Sequence, residues 1–475
     1  MPGSNVPPQT VVTVSRPELS YAADPPFERP HPVYQAVEAV LAALGLDAAG
    51  VGQDGWNPLG DLVEPGGHVV VKPNLVASRN QHERIAHQAL LGSSTHGSVL
   101  KPVLDYALRA VGPEGKVTVV DCPIESCELD RVTEPLGIDS VVDHLRSQGK
   151  PVAFHDLRHF RVEPRFALDD VRRLGLSLNA GLLLRRPLPG DPRGYRVVDL
   201  GSKSFFDQAG APPSDALRFH RSHYRTPVPH HSARRHEYSV AATALDADLI
   251  VHLPKLKTHI KAGVTLALKS VVGLSNEKYW LPHYTAGDPS TGGDEFDRPL
   301  NPVERLERRL SRLPLPGGNS LVLRAARTRG GPRVLDGGWE GNDTLWRTVL
   351  DLNRIVYYAG RDGRLHDEPQ RRQLCLVDGI VGGEGDGPLG ATPVRSGVLV
   401  GGLDPALVDY VATRTMGLDP SRVPTIVRAL KSRLLPTSEL HALQGVVDGP
   451  APQLRFRAPR SWPSLRRRRS APASA

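Results

Sequence analysis

Hydrophobic residues along this chain repeat with two different periods, and segments of the two kinds alternate. Over residues 32–44 the apolar positions recur every three to four residues, between Pro32 and Gly45, which predicts a helix. Residues 68–72 form a short apolar run closed by Pro73, which predicts a buried strand. The same patterns predict further helices at 98–111, 140–146, 237–245 and 404–416, and further strands at 116–120, 152–154, 249–253, 374–377 and 397–400.

Strands that alternate with helices predict an α/β fold, with a mainly parallel sheet and helices on both faces. Two stretches interrupt the pattern and are predicted to be loop-rich insertions or lids. Residues 155–236 are rich in Arg, Pro and His, and residues 281–340 are rich in Gly and Pro, with one short charged helix near 303–313. We therefore predict four parts: an α/β part at 1–154, an Arg/His-rich insertion at 155–236, a second α/β part at 237–450, and a tail at 451–475.

The distribution of charge argues against nucleic acid as the partner, although the net charge is +8. Seven arginines and no acidic residue lie in 451–475, so the rest of the chain is close to neutral. A nucleic-acid-binding domain more often carries its basic residues on a folded face. Proline, serine and alanine surround these arginines, and we predict that the tail is disordered.

The chain has no run of 18 apolar residues, which predicts no membrane span. Residues 1–8 have neither a basic start nor an apolar run, so no signal peptide is expected and a cytoplasmic location is predicted. The cysteines are Cys122, Cys127 and Cys375. This small odd number predicts a reducing compartment, and it falls short of the four ligands that one iron–sulfur cluster usually requires.

The segment 249–273 combines an apolar strand with several cationic side chains. After Pro254, a predicted turn carries Lys255, Lys257 and His259, and a helix is predicted to begin after Gly263. The first amides of a helix favour anions, so Lys255 and Lys257 are predicted to hold a phosphate or carboxylate there. From the residues alone, a surface turn with solvated lysines is an equally good interpretation.

Two other groups of residues offer metal-binding or acid–base chemistry. Asp378 ends a predicted strand, and a glycine-rich loop with Glu384 and Asp386 follows, which suits a divalent metal or proton transfer. His96 and His283 add imidazoles, but no His-x-x-His spacing is present. The alternatives are an acidic surface turn and an Arg/His-rich lid that meets an anionic substrate.

Several motifs, taken in order, resemble the family known only as domain of unknown function 362, over roughly residues 10–430. The motifs are Lys72-Pro73-Asn74, Ser94-Thr95-His96, Lys255-x-Lys257-Thr258-His259, Gly263-x-Thr265-x-x-x-Lys269, and the blocks 377–388 and 404–420. Segments 279–283, 292–295 and 341–346 resemble its longer bacterial members. Many members carry a ferredoxin-like cysteine block. The three cysteines of this chain cannot supply one, so no iron–sulfur cluster is expected.

The resemblance and the residues together predict an enzyme that acts on an anionic small molecule, either sugar-linked or carboxylated, in specialised-metabolite or cell-surface polysaccharide metabolism. Isomerisation, hydrolysis and group transfer all stay open, and a non-catalytic anion-binding or assembly protein is the alternative. The predicted catalytic residues are His259, Lys269, His96 and His283. The predicted substrate-binding residues are Lys72, Asn74, Lys255, Lys257, Thr258, Thr265 and Asp294. The predicted ligands of a divalent metal are Asp378, Glu384 and Asp386.

Overall fold

The computed structural model describes residues 10–78, 86–164, 183–219, 227–302, 336–435, 439–450, 452 and 454–466. The predicted charged helix near 303–313 lies outside these residues. No helix among them is long and apolar enough to cross a membrane.

The strands are short, apart from two long neighbours near the C-terminus. They are β1 (Thr10–Ser15), β2 (His68–Pro73), β3 (Lys116–Asp121), β4 (Val152–Asp156), β5 (Phe160–Pro164), β6 (Leu183–Pro187), β7 (Tyr195–Asp199), β8 (Leu217–Arg218), β9 (His231–Ser232), β10 (Arg235–Ala241), β11 (Leu249–Leu253), β12 (Lys255–His259), β13 (Gly263–Val264), β14 (Tyr284–Thr285), β15 (Arg372–Asp386), β16 (Gly390–Gly402) and β17 (Gln444–Asp448).

Ten α-helices lie within the described residues. They are α1 (Pro32–Ala43), α2 (Ala86–Ser93), α3 (Gly97–Val111), α4 (Asp130–Thr133), α5 (Ile138–Ser147), α6 (Ala242–Leu245), α7 (Leu266–Ser270), α8 (Leu345–Tyr358), α9 (Pro405–Thr415) and α10 (Pro424–Lys431).

One large mixed sheet organises the chain, in the order β17-β1-β16-β15-β11-β2-β3-β4. The run from β15 through β11, β2 and β3 to β4 is parallel throughout. Antiparallel pairing joins β16 to its neighbours β15 and β1. Strand β12 extends the sheet by pairing parallel with β15, and β13 folds back on β12. The fold is therefore α/β with a mainly parallel sheet, as the alternating pattern predicted.

Apolar side chains cover both faces of this sheet because successive residues of a strand point to opposite sides. Val69 and Val71 of β2 pack with apolar residues of α1, α3 and α5 on one face. Val70 packs with α6 and α8 on the other face. Helices therefore lie on both faces, and the parallel strands between them are almost fully buried.

Residues 237–245, predicted to be one helix, are mostly strand. The chain forms β10 and only then a single helical turn, α6. Tyr238 and Val240 are both fully buried and stand two residues apart, which is the period of a strand. Strand β10 also spans the boundary predicted between residues 236 and 237. It pairs with β7, which lies in the Arg/His-rich part.

Two predicted loops are also strands. Residues 255–259 form β12, and the glycine-rich stretch after Asp378 continues β15 to Asp386. Glycine at position 383 allows this second strand to pass close to its neighbours, since a β-carbon there would lie 3.1 Å from that of Lys257. Sequence patterns at both places suggested turns because lysine and glycine are uncommon in strands.

The tail differs from its prediction over residues 454–466, which pack on the folded protein. Trp462 is 1% exposed, and its indole N–H donates to the carbonyl of Ile260 at 2.7 Å. Its ring lies against Gly263, which has a φ of +77°. Burial of Phe456 and Leu465 adds to the same apolar cluster. Buried aromatic and leucine side chains stabilise this segment, and the arginine-rich composition hid them.

Candidate functional site

The carboxyl ends of β2 and β3 place a buried ion pair at one edge of the main sheet. The ammonium of Lys72 lies 2.7 Å from Oδ1 of Asp121, and the two side chains are 1% and 4% exposed. Lys72 also donates to the carbonyl of Pro73 at 2.6 Å. The other oxygen of Asp121 accepts the backbone N–H of Leu75 at 2.8 Å. The charge of Lys72 is therefore already matched by a carboxylate of the protein.

A helical segment covers this ion pair. After α7 the chain continues as a 3₁₀ turn, Val271–Leu274, which contains Gly273. A methyl group at Gly273 would lie 2.5 Å from Cε and 2.6 Å from Nζ of Lys72 and would also meet Asp121, so a larger residue would require this ion pair to shift. Lys269 is four residues earlier, and positions four apart share one face of a helix. The segment therefore directs Lys269 toward the same edge of the sheet.

Lys255 and Lys257 are both buried within strand β12. Lys255 lies 2.8 Å from Oδ2 of Asp378, and both side chains are fully buried. The hydroxyl of Tyr21 accepts from Lys255 at 2.5 Å and donates to Oδ1 of Asp378 at 2.7 Å. Lys257 instead donates to the side-chain oxygen of Asn74 at 2.6 Å and to a backbone carbonyl, that of Ser93, at 2.5 Å. Burial, followed by the charges of Lys269 and Lys255, holds the pKa of Lys257 well below its usual range.

His96 caps a helix next to the Lys255–Asp378 pair. Its Nδ1 accepts the backbone N–H of Ser98 at 3.1 Å at the start of α3. The ring stacks on Tyr21 with 4.1 Å between centroids, and its own backbone N–H donates to Asp378 at 3.2 Å. His96 rather than Ser98 is therefore the N-cap of this helix. Helix capping and stacking on Tyr21 account for the burial of His96 without any catalytic role.

Two further lysines near this edge, Lys261 and Lys269, form neither an ion pair nor a side-chain hydrogen bond with a residue that the structure describes. Lys269 is half-buried, and among the described residues nothing accepts a hydrogen bond from it or forms an ion pair with it. The ammonium of Lys261 lies over the ring of Tyr284, 5.5 Å from its centroid. Burial, with the charges of Lys278, Lys261 and Lys72, lowers the pKa of Lys269 to about 7. An amine with that pKa is half neutral near pH 7.

His259 and His283 occupy complementary hydrogen-bonding states. Nδ1 of His259 accepts the backbone N–H of Lys261 at 3.0 Å. Nδ1 of His283 lies 2.8 Å from the carbonyl of Leu281, so it must donate. Burial and nearby lysines hold the pKa of each imidazole well below its usual range, so both are neutral at pH 7. The proton of His259 is therefore on Nε2, whereas Nε2 of His283 carries a lone pair.

These groups form one cationic cluster, defined by their effects on one another's pKa values. Its members are Lys72, Lys255, Lys257, Lys261, Lys269, Lys278, His259 and His283. Among the described side chains, only Asp121 and Asp378 form ion pairs with a lysine of the cluster. Burial first, and then the charges of other lysines, lower the pKa values of Lys72, Lys257 and Lys269.

The amides at the start of α7 are not the anion site that the sequence suggested. The carboxylate of Asp409 accepts the N–H groups of Ala267 and Leu268, at 2.7 and 3.0 Å. Asp409 lies on α9, far away in the sequence, and it is 1% exposed. An internal carboxylate therefore already satisfies the helix start, and an external anion would have to bind the cationic cluster itself.

Comparison with known proteins identifies the central part of the chain. Residues 195–414 match the family model described as "Domain of unknown function (DUF362)". The match to this family, DUF362, therefore covers slightly less than half of the chain. The thylakoid-associated protein sll1697 of Synechocystis sp. is 35% identical over 197 residues. That match covers 41% of this chain and 40% of the relative, so the chain spans well under half the length of this curated protein.

The DUF362 match contains most of the cationic cluster but not all of it. The strand β12, the helix α7 and Asp378 lie inside residues 195–414. Lys72, Asn74 and Asp121 come from the preceding α/β part, and parallel pairing of β2 with β11 brings them to the site. Two parts of the chain that are distant in sequence therefore build one site.

Two of the residues predicted to bind substrate, Asp294 and Thr258, have partners within the protein, whereas a third, Thr265, does not. Both carboxylate oxygens of Asp294 accept hydrogen bonds from the protein, among them the N–H of Thr285 and the N–H and hydroxyl of Thr344. The hydroxyl of Thr258 donates to the carbonyl of Gly385 at 2.7 Å. The hydroxyl of Thr265 is buried and has no hydrogen-bond partner among the described residues. Of the three, Thr265 is the one with a free hydrogen-bonding group.

The three acids predicted as metal ligands have separate partners in the structure. Asp378 binds Lys255, whereas Glu384 pairs with Arg457 at 2.5 Å and Asp386 with Arg460 at 2.7 Å. Within the part of the chain that the structure describes, no group of three or more His, Cys, Asp or Glu residues is placed to hold a metal ion. Asp378 and Asp386 lie eight residues apart on the single long strand β15. The sequence had predicted a loop at this place, and the extended strand keeps the acids apart.

Sequence patterns missed three participants. Tyr21 lies in an irregular segment far from every motif, yet it joins Lys255 to Asp378. Lys261 and Lys278 flank the DUF362 motif, and Lys278 donates to the carbonyl of Val272 at 2.6 Å. The spacing of lysines over 255–278 was visible as a local excess of positive charge. That excess was the available signal for the two lysines, whereas nothing in the sequence marked Tyr21.

Proposed function

We propose that this protein is an enzyme that binds the carboxylate or phosphate of a small molecule in the cationic cluster and transfers protons there. The amine of Lys269, which lies among other buried cations and has no partner among the described residues, is the observation that carries the proposal. An anion beside Lys269 would form charge-assisted hydrogen bonds, which are stronger than bonds between neutral groups. It would also relieve repulsion among the lysines of the cluster.

The hydrogen-bonding states of the two histidines support proton transfer in addition to binding. His259 has an Nε2–H to donate, and His283 has an Nε2 lone pair to accept. His283 can accept a proton at this nitrogen, and the neutral His259 can donate a hydrogen bond to an oxygen on which negative charge develops. Lys269, with a pKa of about 7, can serve in either role.

Titration calorimetry with inorganic phosphate and with oxalate, at pH 7 and low ionic strength, tests the anion site. We expect Lys269→Met to weaken binding by about 10- to 100-fold, since a hydrogen bond to a charged group contributes about 1.5–3 kcal/mol. Lys269→Arg keeps the charge and should keep most of the affinity. Lys431→Met is the matched control, because Lys431 is exposed on α10.

Two results would contradict the proposal. One is an affinity for phosphate and oxalate that Lys269→Met leaves unchanged. The other is an equal loss of affinity in Lys431→Met, which would indicate general attraction of anions to a basic protein. Circular dichroism of each variant establishes that it is folded before binding is measured.

A further inference from the structure

Lys269 differs from every other lysine of the cationic cluster in what surrounds its amine. Lys72 and Lys255 are ion-paired, and Lys257 donates to two neutral oxygens. Lys278 donates to a carbonyl, and Lys261 lies over an aromatic ring. Lys269 alone in this set is half-buried with no described partner. Its nitrogen is therefore available to react with a bound molecule.

We infer that Lys269 is a nucleophile that forms an imine with the carbonyl group of an anionic substrate, such as an oxo acid or an aldehyde that carries a carboxylate or phosphate. This inference rests on the proposed anion site, because the cluster would hold the charged group next to the amine. Lysines become nucleophiles when they are desolvated or placed beside other cations. Both conditions apply here: burial and the nearby lysines lower the pKa of Lys269 to about 7.

The chemistry balances with groups that the site contains. The lone pair of the Lys269 nitrogen forms a bond to the carbonyl carbon, and the π electrons of the carbonyl move to its oxygen. One proton of the amine passes to that oxygen, by way of Nε2 of His283, which can accept it. The second N–H proton leaves with the hydroxyl group as water when the carbon–oxygen bond breaks and the carbon–nitrogen double bond forms. Hydrolysis reverses these steps and restores the free amine.

The close contact between Gly273 and Lys72 supports this geometry. Because that position lies against Nζ of Lys72, the helical segment is held close to the carboxyl ends of β2 and β3. Lys269 is one turn earlier on that segment. Lys72 is already paired with Asp121 and therefore does not compete with Lys269 for the substrate. The site thus positions one reactive amine and keeps the neighbouring lysines occupied.

Reductive trapping with glyoxylate, the smallest anionic aldehyde, tests the inference on the full chain. Protein at pH 7 is incubated with glyoxylate and cyanoborohydride, and the modified lysines are located by peptide mass spectrometry. We expect Lys269 to be modified at least about tenfold faster than exposed Lys431, since a lysine of normal pKa is almost wholly protonated at this pH. Lys269→Arg should keep most of the affinity for phosphate and lose the fast adduct.

The outcomes separate this inference from the proposed function. Fast labelling of Lys269 by glyoxylate but not by uncharged acetaldehyde, together with phosphate binding, supports both. Phosphate binding with labelling of Lys269 no faster than Lys431 overturns the imine and leaves the anion site standing. Equal fast labelling by glyoxylate and acetaldehyde, without phosphate binding, supports a reactive amine and overturns the anion site. Neither binding nor selective labelling overturns both.

Discussion

Gly273 lies directly against Lys72, with room for a hydrogen atom but not for a methyl group. A β-carbon at Gly273 would be 2.6 Å from Nζ of Lys72. This contact joins the DUF362 motif, which ends at Gly273, to the strand end that carries Lys72 and Asn74. The two motifs are separated by about 200 residues in the sequence, yet the fold brings them into contact at one site.

The first prediction follows from this contact. Gly273→Ala should lower the free energy of unfolding by about 1–3 kcal/mol, because overpacking of a close contact costs that much. It should also weaken phosphate binding, since the helical segment with Lys269 must move away. Urea denaturation and calorimetry measure the two effects. Gly445→Ala is the control, because a methyl group at Gly445 meets nothing within 4 Å, and a loss there as large as at Gly273 would contradict the argument.

The second prediction concerns pH and Lys269. The pKa of Lys269 is about 7 in the folded protein and near 10.5, the ordinary value of a lysine, in the unfolded chain. Between these values the unfolded chain binds more protons, so this residue makes stability rise with pH from about 7 to 10.5 and destabilises the fold below that window. Lys269→Met should therefore be more stable than the unaltered protein at pH 7, and the two should converge near pH 10.5.

Denaturant midpoints at several pH values measure this difference. Lys431→Met serves again as the control and should not change the slope of stability with pH. A Lys269→Met variant that is less stable than the unaltered protein at pH 7 would indicate that the amine has an anionic partner in the folded protein. It would contradict a pKa of about 7 for Lys269. Saturating phosphate should reduce the difference between the two proteins, because the anion favours the protonated amine.

The third prediction concerns the C-terminal segment 454–466. Trp462→Ala should cost about 3–5 kcal/mol, the usual range for removing a buried large side chain. Arg460→Ala should lower the free energy of unfolding by less than about 1 kcal/mol, because the side chain that Arg460 contributes to the ion pair with Asp386 is 92% exposed. Thermal or urea denaturation compares the two variants. Similar small effects would mean that the indole does not pack on Gly263 in solution.

The fourth prediction concerns the buried pair Lys255 and Asp378. Lys255→Met should destabilise the protein by about 3–5 kcal/mol, because it leaves the carboxylate of Asp378 buried without its counter-charge. The double variant Lys255→Met with Asp378→Leu should recover much of this loss, since neither charge is then buried. Denaturation of the single and double variants forms the test. A double variant as unstable as the sum of the singles would show that the two residues act independently.

The sequence predicted elements most securely where a simple hydrophobic period coincided with clear end signals. The helix expected at 32–44 is observed as Pro32–Ala43, and the strand expected at 249–253 is observed as Leu249–Leu253. Predictions were wrong where the residue type conflicted with the local structure. Lysines in β12 and glycines in β15 both suggested turns, and long-range pairing with neighbouring strands overrode those propensities.

The sequence by itself determined the α/β class, the DUF362 motifs and the concentration of lysine and histidine between residues 255 and 283. These properties are local, because periodicity and spacing can be read along the chain. Only the tertiary structure decided which of these lysines have no hydrogen-bond or ion-pair partner among the described residues. Asp121, Asp378, Asn74 and Asp409 come from distant segments, and they occupy Lys72, Lys255, Lys257 and the start of α7. Charge pairing depends on distances in space, and for that reason the sequence pointed to Lys255 and Lys257 whereas the structure points to Lys269.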